Sequence, residues 1–205
     1  MKALTLIISL AFSVTSFSQT AKEFYNKGLS NTISGDNKTA IINYTKAIEL
    51  YPKWDSISLA SAYYFRGISK RELEDYRGAI LDFTKAIELD PKDEMAYYQR
   101  GNRKNDLEDH IGAIADYTKV IELNPKLPNP FFNRGLSKVK LKDYRGAIAD
   151  FTKTIELDPK GADAYLNRGL AKIDLNQKES GCLDFSKAGE LGMEKAYDLI
   201  KLFCQ

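Results

Sequence analysis

The chain reads as an all-α array of helical hairpins, and two observations lead to that reading. Gly67, Gly101, Gly135 and Gly169 recur every 34 residues, each in an aromatic and basic setting. Around them a fixed order repeats: Ala79, Ala113, Ala147 and Gly181 follow twelve residues later, and Phe83, Tyr117, Phe151 and Phe185 follow four after that. A period of this length marks a repeat architecture, in which no single hairpin buries its apolar face and neighbours must stack to cover one another. At 205 residues, with 43% hydrophobic and 28% charged side chains, the composition fits a folded, surface-rich protein.

The first element, Met1-Lys2 and then the apolar run Ala3 to Phe12, closes on small residues at Ser16 and Ser18, as an export signal does. The run is shorter than the roughly 20 residues of a spanning helix, so residues 1–18 are expected to be removed, with the cut before Gln19. No cysteine lies near that cut for a lipid anchor, and no membrane insertion is expected of the remaining chain.

Repeat 1, about residues 21–54, carries Gly28, Ala40, Tyr44, Ala47 and Pro52 in the same order. Gly28 stands 39 residues before Gly67, five more than the period, and the excess falls around Asp55-Ser56-Ile57-Ser58-Leu59. Those residues contain neither Gly nor Pro and read as an added helical turn, a loop being the alternative. In repeat 2, residues 60–93, helices are expected over about 60–73 and 76–89, with Gly67 facing Ala79 and Phe83. Repeats 3 and 4, residues 94–127 and 128–161, follow the same pattern. Pro91, Pro125 and Pro159 close repeats 2 to 4, since proline cannot continue the preceding helix. Repeat 5, residues 162–193, has Gly181 in the alanine column and Met193 in place of proline, and a capping helix over 194–204 follows.

These columns resemble the tetratricopeptide repeat family over residues 21 to about 195, and Gly181 to Gly192 is similar to the related Sel1-type repeat. The resemblance implies a right-handed superhelical solenoid of antiparallel helix pairs, with five repeats plus the capping helix. It also implies a binding module whose first helices line a concave groove. By analogy the groove residues are Tyr64, Ile68, Met95, Tyr98, Asn102, Phe132, Asn133, Leu136, Leu166, Asn167 and Leu170. Family members that grip an acidic carboxyl-terminus carry Lys where this chain has Tyr64, Tyr98, Phe132 and Leu166, so apolar or extended segments are the expected ligands.

Charge narrows the partners. Thirty Lys and Arg against 28 Asp and Glu give +2, which draws the chain neither to nucleic acid nor to an anionic membrane. Arg66, Arg100, Arg134 and Arg168 each precede an Asp by sixteen residues, at Asp82, Asp116, Asp150 and Asp184. In an antiparallel hairpin turning midway these stand level, so they are expected to pair, an arginine ladder for an anionic ligand being the alternative. Lys27 and Asn43 occupy these columns in repeat 1, where pairing should stop. Lys70, Lys104, Lys138 and Lys172 form a second column, expected to reach toward solvent, with a basic stripe for an acidic partner as the alternative.

A single His and two Cys leave no zinc set of about four ligands, and no metal or cofactor is implied. His110 reads as a packing residue. No catalytic residues are expected. Cys182 and Cys204 flank Gly192-Met193 symmetrically, which would bring their sulfurs together if a turn lies there; two free thiols are the alternative. The function expected is a non-catalytic scaffold, periplasmic or extracellular, that binds a protein or peptide. Two other readings stand beside it: a spacer that self-associates through Phe24 and Tyr25 of an outermost helix, and an accessory subunit of an envelope or carbohydrate-processing assembly.

Overall fold

The computed structural model describes residues 20–50 and 55–204; the segment 1–18, expected to be an export signal, and Pro52 lie outside the described residues. Among the described residues every regular element is a helix. In order these are α1 (20–33), α2 (Asn37–Glu49), α3 (Ser56–Glu72), α4 (Tyr76–Leu89), α5 (Glu94–Asp106), α6 (His110–Leu123), α7 (Pro128–Lys140), α8 (Tyr144–Leu157), α9 (Ala162–Asp174), α10 (Lys178–Glu190) and α11 (Lys195–Phe203). Among them no helix is long and apolar enough to cross a membrane. The chain forms two compact bodies, one ending at Arg103 and the other beginning at Lys104, within α5. In the first body α2 packs on α3 and α3 on α4. In the second, α6 to α11 each pack on the next, and α7 also touches α9.

Local chemistry sets the helix ends. Asp36, Asp75, Asp109 and Asp143 cap the second helices, their carboxylates accepting from the amides of Thr39, Gly78, Gly112 and Gly146 at 2.9–3.2 Å. Before each cap the chain turns through a left-handed residue, Gly35 in the first hairpin and then Glu74, Glu108 and Lys142. Asn176 takes that conformation before α10. The five added residues lengthen a helix: α3 begins at Ser56, four residues before the expected start, capped by Asp55, whose carboxylate accepts from the Ser58 amide at 2.9 Å. Pro128 opens α7, where its missing N–H costs nothing.

The interior repeats with the sequence. Tyr44, Phe83, Tyr117, Phe151 and Phe185 are all buried, as are Ala40, Ala79, Ala113 and Ala147. The period-setting glycines lie against these rings. A Cβ on Gly67 would sit 2.8 Å from Phe83, and one on Gly135 would sit 2.7 Å from Phe151, closer than carbon atoms approach. The helix pairs come together at the distance a hydrogen allows and a methyl does not.

Between these rings runs a buried polar seam. Arg66 on α3 donates from Nε and Nη2 to both oxygens of Asp82 on α4, at 2.8 and 2.7 Å, and from Nη1 to Thr45 Oγ1 on α2 at 3.0 Å. One guanidinium thus joins three consecutive helices. Arg134 repeats the arrangement with Asp150 and Thr118, and Arg168 with Asp184 and Thr152. Arg100 donates to Thr84 in the same way, at 3.1 Å. The Thr84, Thr118 and Thr152 hydroxyls donate in turn to the carbonyls of Ile80, Ile114 and Ile148 at 2.7 Å, so each is satisfied in both roles. The guanidiniums lie over Tyr63, Phe131 and Tyr165 at 5.3–5.7 Å. Burial disfavours the charged form of Arg66, yet the Asp82 carboxylate overrides it and holds the guanidinium above its ordinary value. In repeat 1 the seam stops, as the sequence implies: Asn43 donates to Asn31 at 2.9 Å, and Lys27 lies over Phe24.

The lysine column departs from expectation. Lys70, Lys104, Lys138 and Lys172 turn inward and bind Asp82, Asp116, Asp150 and Asp184 at 2.7–2.8 Å, with only 14–20% of each side chain exposed. A buried carboxylate with two oxygens has capacity for a second cation, and this outweighs the hydration of the lysine head.

Four outcomes follow from this packing. Asp150→Asn leaves Arg134 and Lys138 without their carboxylate and is expected to cost roughly 2–4 kcal/mol in urea unfolding. Lys153→Ala, which breaks the exposed pair with Glu156, should stay within about 0.5 kcal/mol; equal losses would show the seam to be energetically idle. Gly135→Ala, overpacked against Phe151, is expected to lower stability by about 1–3 kcal/mol. Burial, opposed by the hydrogen bond to Thr32, pushes the Tyr44 phenol from 10.0 up to about 12. Its contribution is therefore intact below pH 10 and lost as pH rises toward 12, and Tyr44→Phe should flatten that alkaline loss of stability in a pH series.

Candidate functional site

With the seam arginines and lysines engaged by carboxylates and hydroxyls, neither basic column offers a ladder to an anionic ligand. The side chains left for contact stand on the first helices, and each body presents its own set.

In the amino-terminal body, Tyr64 and Ile68 of α3 and Met95, Tyr98 and Asn102 of α5 are the residues assigned to a groove. Tyr64 is half-buried, edge-on to Phe65 at 5.3 Å and tilted over Phe83 at 5.7 Å. Burial raises its phenol above the ordinary value, the nearby Asp93 carboxylate adds to this, and Arg71 and Gln99 oppose it. Ile68, Tyr98 and Asn102 are half-buried, and Met95, at 47% exposure, is the most open of the set. Asp93 Oδ1 caps the first turn of α5, accepting from the amides of Met95 and Ala96 at 2.9 and 3.2 Å. Beneath these residues Ala86, Ile87 and Ala96 form a core patch on which Tyr63, Tyr64 and Tyr97 pack. Arg71 on α3 donates to Gln99 Oε1 on α5 at 3.2 Å, so the two helices are bridged directly. Neither residue came out of the repeat columns. Their one visible signal is chemical: Arg71 stands where the later repeats carry Asn105, Val139 and Ile173, and is the sole cation of its column.

In the carboxyl-terminal body the corresponding residues are Phe132, Asn133 and Leu136 of α7 and Leu166, Asn167 and Leu170 of α9. Phe132 is half-buried and tilted over Phe151 at 5.7 Å. Leu166, at 8% exposure, belongs to the core with Phe185, Ala188 and Ala196, and Leu170 packs against that cluster. Asn167 donates to the Asp163 carbonyl of its own helix at 2.8 Å, and the Asn133 carbonyl accepts from Ser137 at 3.0 Å. Asn133, Leu136, Asn167 and Leu170 are half-buried. The face is aliphatic and aromatic, with amide groups among it.

Reactive chemistry is not assembled around the lone imidazole. His110 Nδ1 lies 2.6 Å from Asn105 Oδ1, which also accepts from Ser137 Oγ at 3.2 Å. The amide stands between ring and hydroxyl, so the imidazole is tied into a packing network and not set against a nucleophile. Among the described residues no group of three or more His, Cys, Asp or Glu is placed to hold a metal ion. Cys182 on α10 and Cys204 after α11 are joined in a disulfide, with Cα atoms 5.9 Å apart.

Known proteins share this fold. Sequence profiles described as tetratricopeptide repeat match residues 21–53 and 96–127, 60–93, and 132–177, most of the chain. Among solved structures, a crystal structure of MamA protein is 23% identical over 87% of this chain and 95% of that one, with a TM-score of 0.79. MamA 41-end from Desulfovibrio magneticus RS-1 is 20% identical over 84% and 94%, with a TM-score of 0.76. YrrB, described as a TPR protein with an unusual peptide-binding site, is 25% identical over 90% and 97%, with a TM-score of 0.78. No curated protein sequence matches significantly. The 34-residue columns, the helix pairs they form and the profiles that match them agree: the chain belongs to the tetratricopeptide repeat family.

Proposed function

We propose that this protein is a non-catalytic interaction scaffold that holds a peptide or a segment of a partner protein against the first-helix faces of its repeats. The observation that carries the reading is the division of labour within each repeat. The charged columns are spent on the buried seam, while the first helices keep a half-exposed set of aromatic, aliphatic and amide side chains, from Tyr64 and Met95 in one body to Phe132 and Asn167 in the other. Apolar groups of that kind gain by covering the side chains of an extended segment, and amides satisfy its backbone. The peptide-binding site of YrrB, a protein of the same fold, supports the same class of partner.

The scaffold works after export, in the periplasm or outside the cell. Lys2 and the apolar run from Ala3 to Phe12 support this, and so does the Cys182–Cys204 disulfide, a bond that persists in oxidising compartments.

A crosslinking pull-down from the envelope and medium fractions tests the proposal. Met95→Glu, placing a charge on the most open of the candidate residues, is expected to lower partner recovery about tenfold with helical content unchanged. Leu81→Glu, at a 68% exposed position on a second helix, should leave recovery intact. Equal recovery with wild type and Met95→Glu, or equal loss with both variants, would remove the first-helix face as the binding surface.

A further inference from the structure

Helix α11 is the shortest element of the carboxyl-terminal body. It has nine residues, its N-cap Glu194 makes no side-chain capping bond, and Ala196 is its one fully buried side chain. Leu199, Ile200 and Phe203 are half-buried against Leu166, Phe185 and Ala188. A helix of that length is marginal by itself in water, so its order depends on docking. Helices α7, α8 and α9 each lie between two sequential neighbours, whereas α11 has its main contact with α10 and reaches Leu166 of α9. The chain enters it through Gly192, at a φ of +94, a turn with nothing within 4 Å of its Cα substituent position. The Cys182–Cys204 bond then returns the far end of α11 to α10 across a separation of 22 residues.

We propose that α11 is a redox-gated cover: the disulfide holds it down over the apolar face formed by Leu166, Phe185 and Ala188, and reduction lets it lift. Closing a ring of this size removes the open conformations available to the tethered segment, which is how the bond favours the docked state. Both cysteines are half-exposed, so a dithiol reductant has access. Its thiolate attacks one sulfur, forming a mixed disulfide and expelling the other cysteine as a thiolate that takes a proton. The second thiol of the reductant then attacks the mixed disulfide, releasing the remaining cysteine and leaving the reductant as a cyclic disulfide; two electrons pass to the protein. The covered face includes Leu166 of the candidate partner-facing set, but the gate does not rest on that reading and is read without a partner.

Hydrogen exchange followed by mass spectrometry on the full chain tests it, before and after treatment with dithiothreitol, with reduction verified by intact mass. Peptides covering 195–203 are expected to exchange on the order of a hundredfold faster once reduced, the loop-closure effect for such a ring, while those covering 76–89 and 144–157 keep their rates. The Cys182→Ser/Cys204→Ser variant should reproduce the reduced pattern without reductant. Unchanged exchange of α11 in verified reduced protein would overturn the gate. Acceleration of all helices together would overturn it as well, by showing the bond to be a general staple.

Discussion

A carboxylate buried in the second helix of a repeat is the constraint on which the rest of this protein depends. Asp82, Asp150 and Asp184 each take a bidentate arginine and a lysine from the helix before them. The same arginine reaches back to a threonine one helix earlier. Burying a charge without partners is prohibitive, so the hairpin closes in the register that brings both cations to the acid. The threonine contact sets where the preceding helix lies. Apolar packing supplies driving force without direction; this seam supplies the direction.

The consequence reaches the surface. The second helices α4, α6 and α8 are nearly the same sequence, YRGAILDFTKAIEL, HIGAIADYTKVIEL and YRGAIADFTKTIEL, and the positions that serve the core and the seam recur in each. The first helices α5, α7 and α9 have only the arginine, the glycine and the lysine in common to all three, and vary more than the second helices do at the remaining positions. Variation is tolerated where a side chain need not fit a neighbouring repeat, and such positions are where a partner can be selected. A scaffold with uniform joints and individual faces is the physical form of the proposed function.

The carboxyl-terminal end shows the same economy under a different constraint. Repeat 5 loses the proline and places Gly181 in the alanine column, and a short helix then covers Phe185. No charged seam joins α11 to α10 among the described contacts; a covalent bond does that work instead. Secured by a covalent bond as well as by its packing on α10, this helix is the one on which the proposed redox gate acts.

The repeat length, the hairpins, their small and aromatic columns and the Arg–Asp pairs were legible in the sequence, because each is a local pattern that recurs at a fixed interval and leaves one physical solution. The five extra residues before Tyr63 read as helix for the same reason, having no residue to break one. Three-dimensional packing alone decided the rest. Lysine in its column satisfies the pattern equally well in water or against the acid, and only the depth of Asp82 and its counterparts turns it inward. Leu166 stands in the same column as Tyr64, yet the helix beyond it places it in the core, and the bridge from Arg71 to Gln99 joins residues that no periodicity relates. Repetition determines the backbone; which side chains remain open to a partner depends on what lies across each seam, which is a property of neighbours in space.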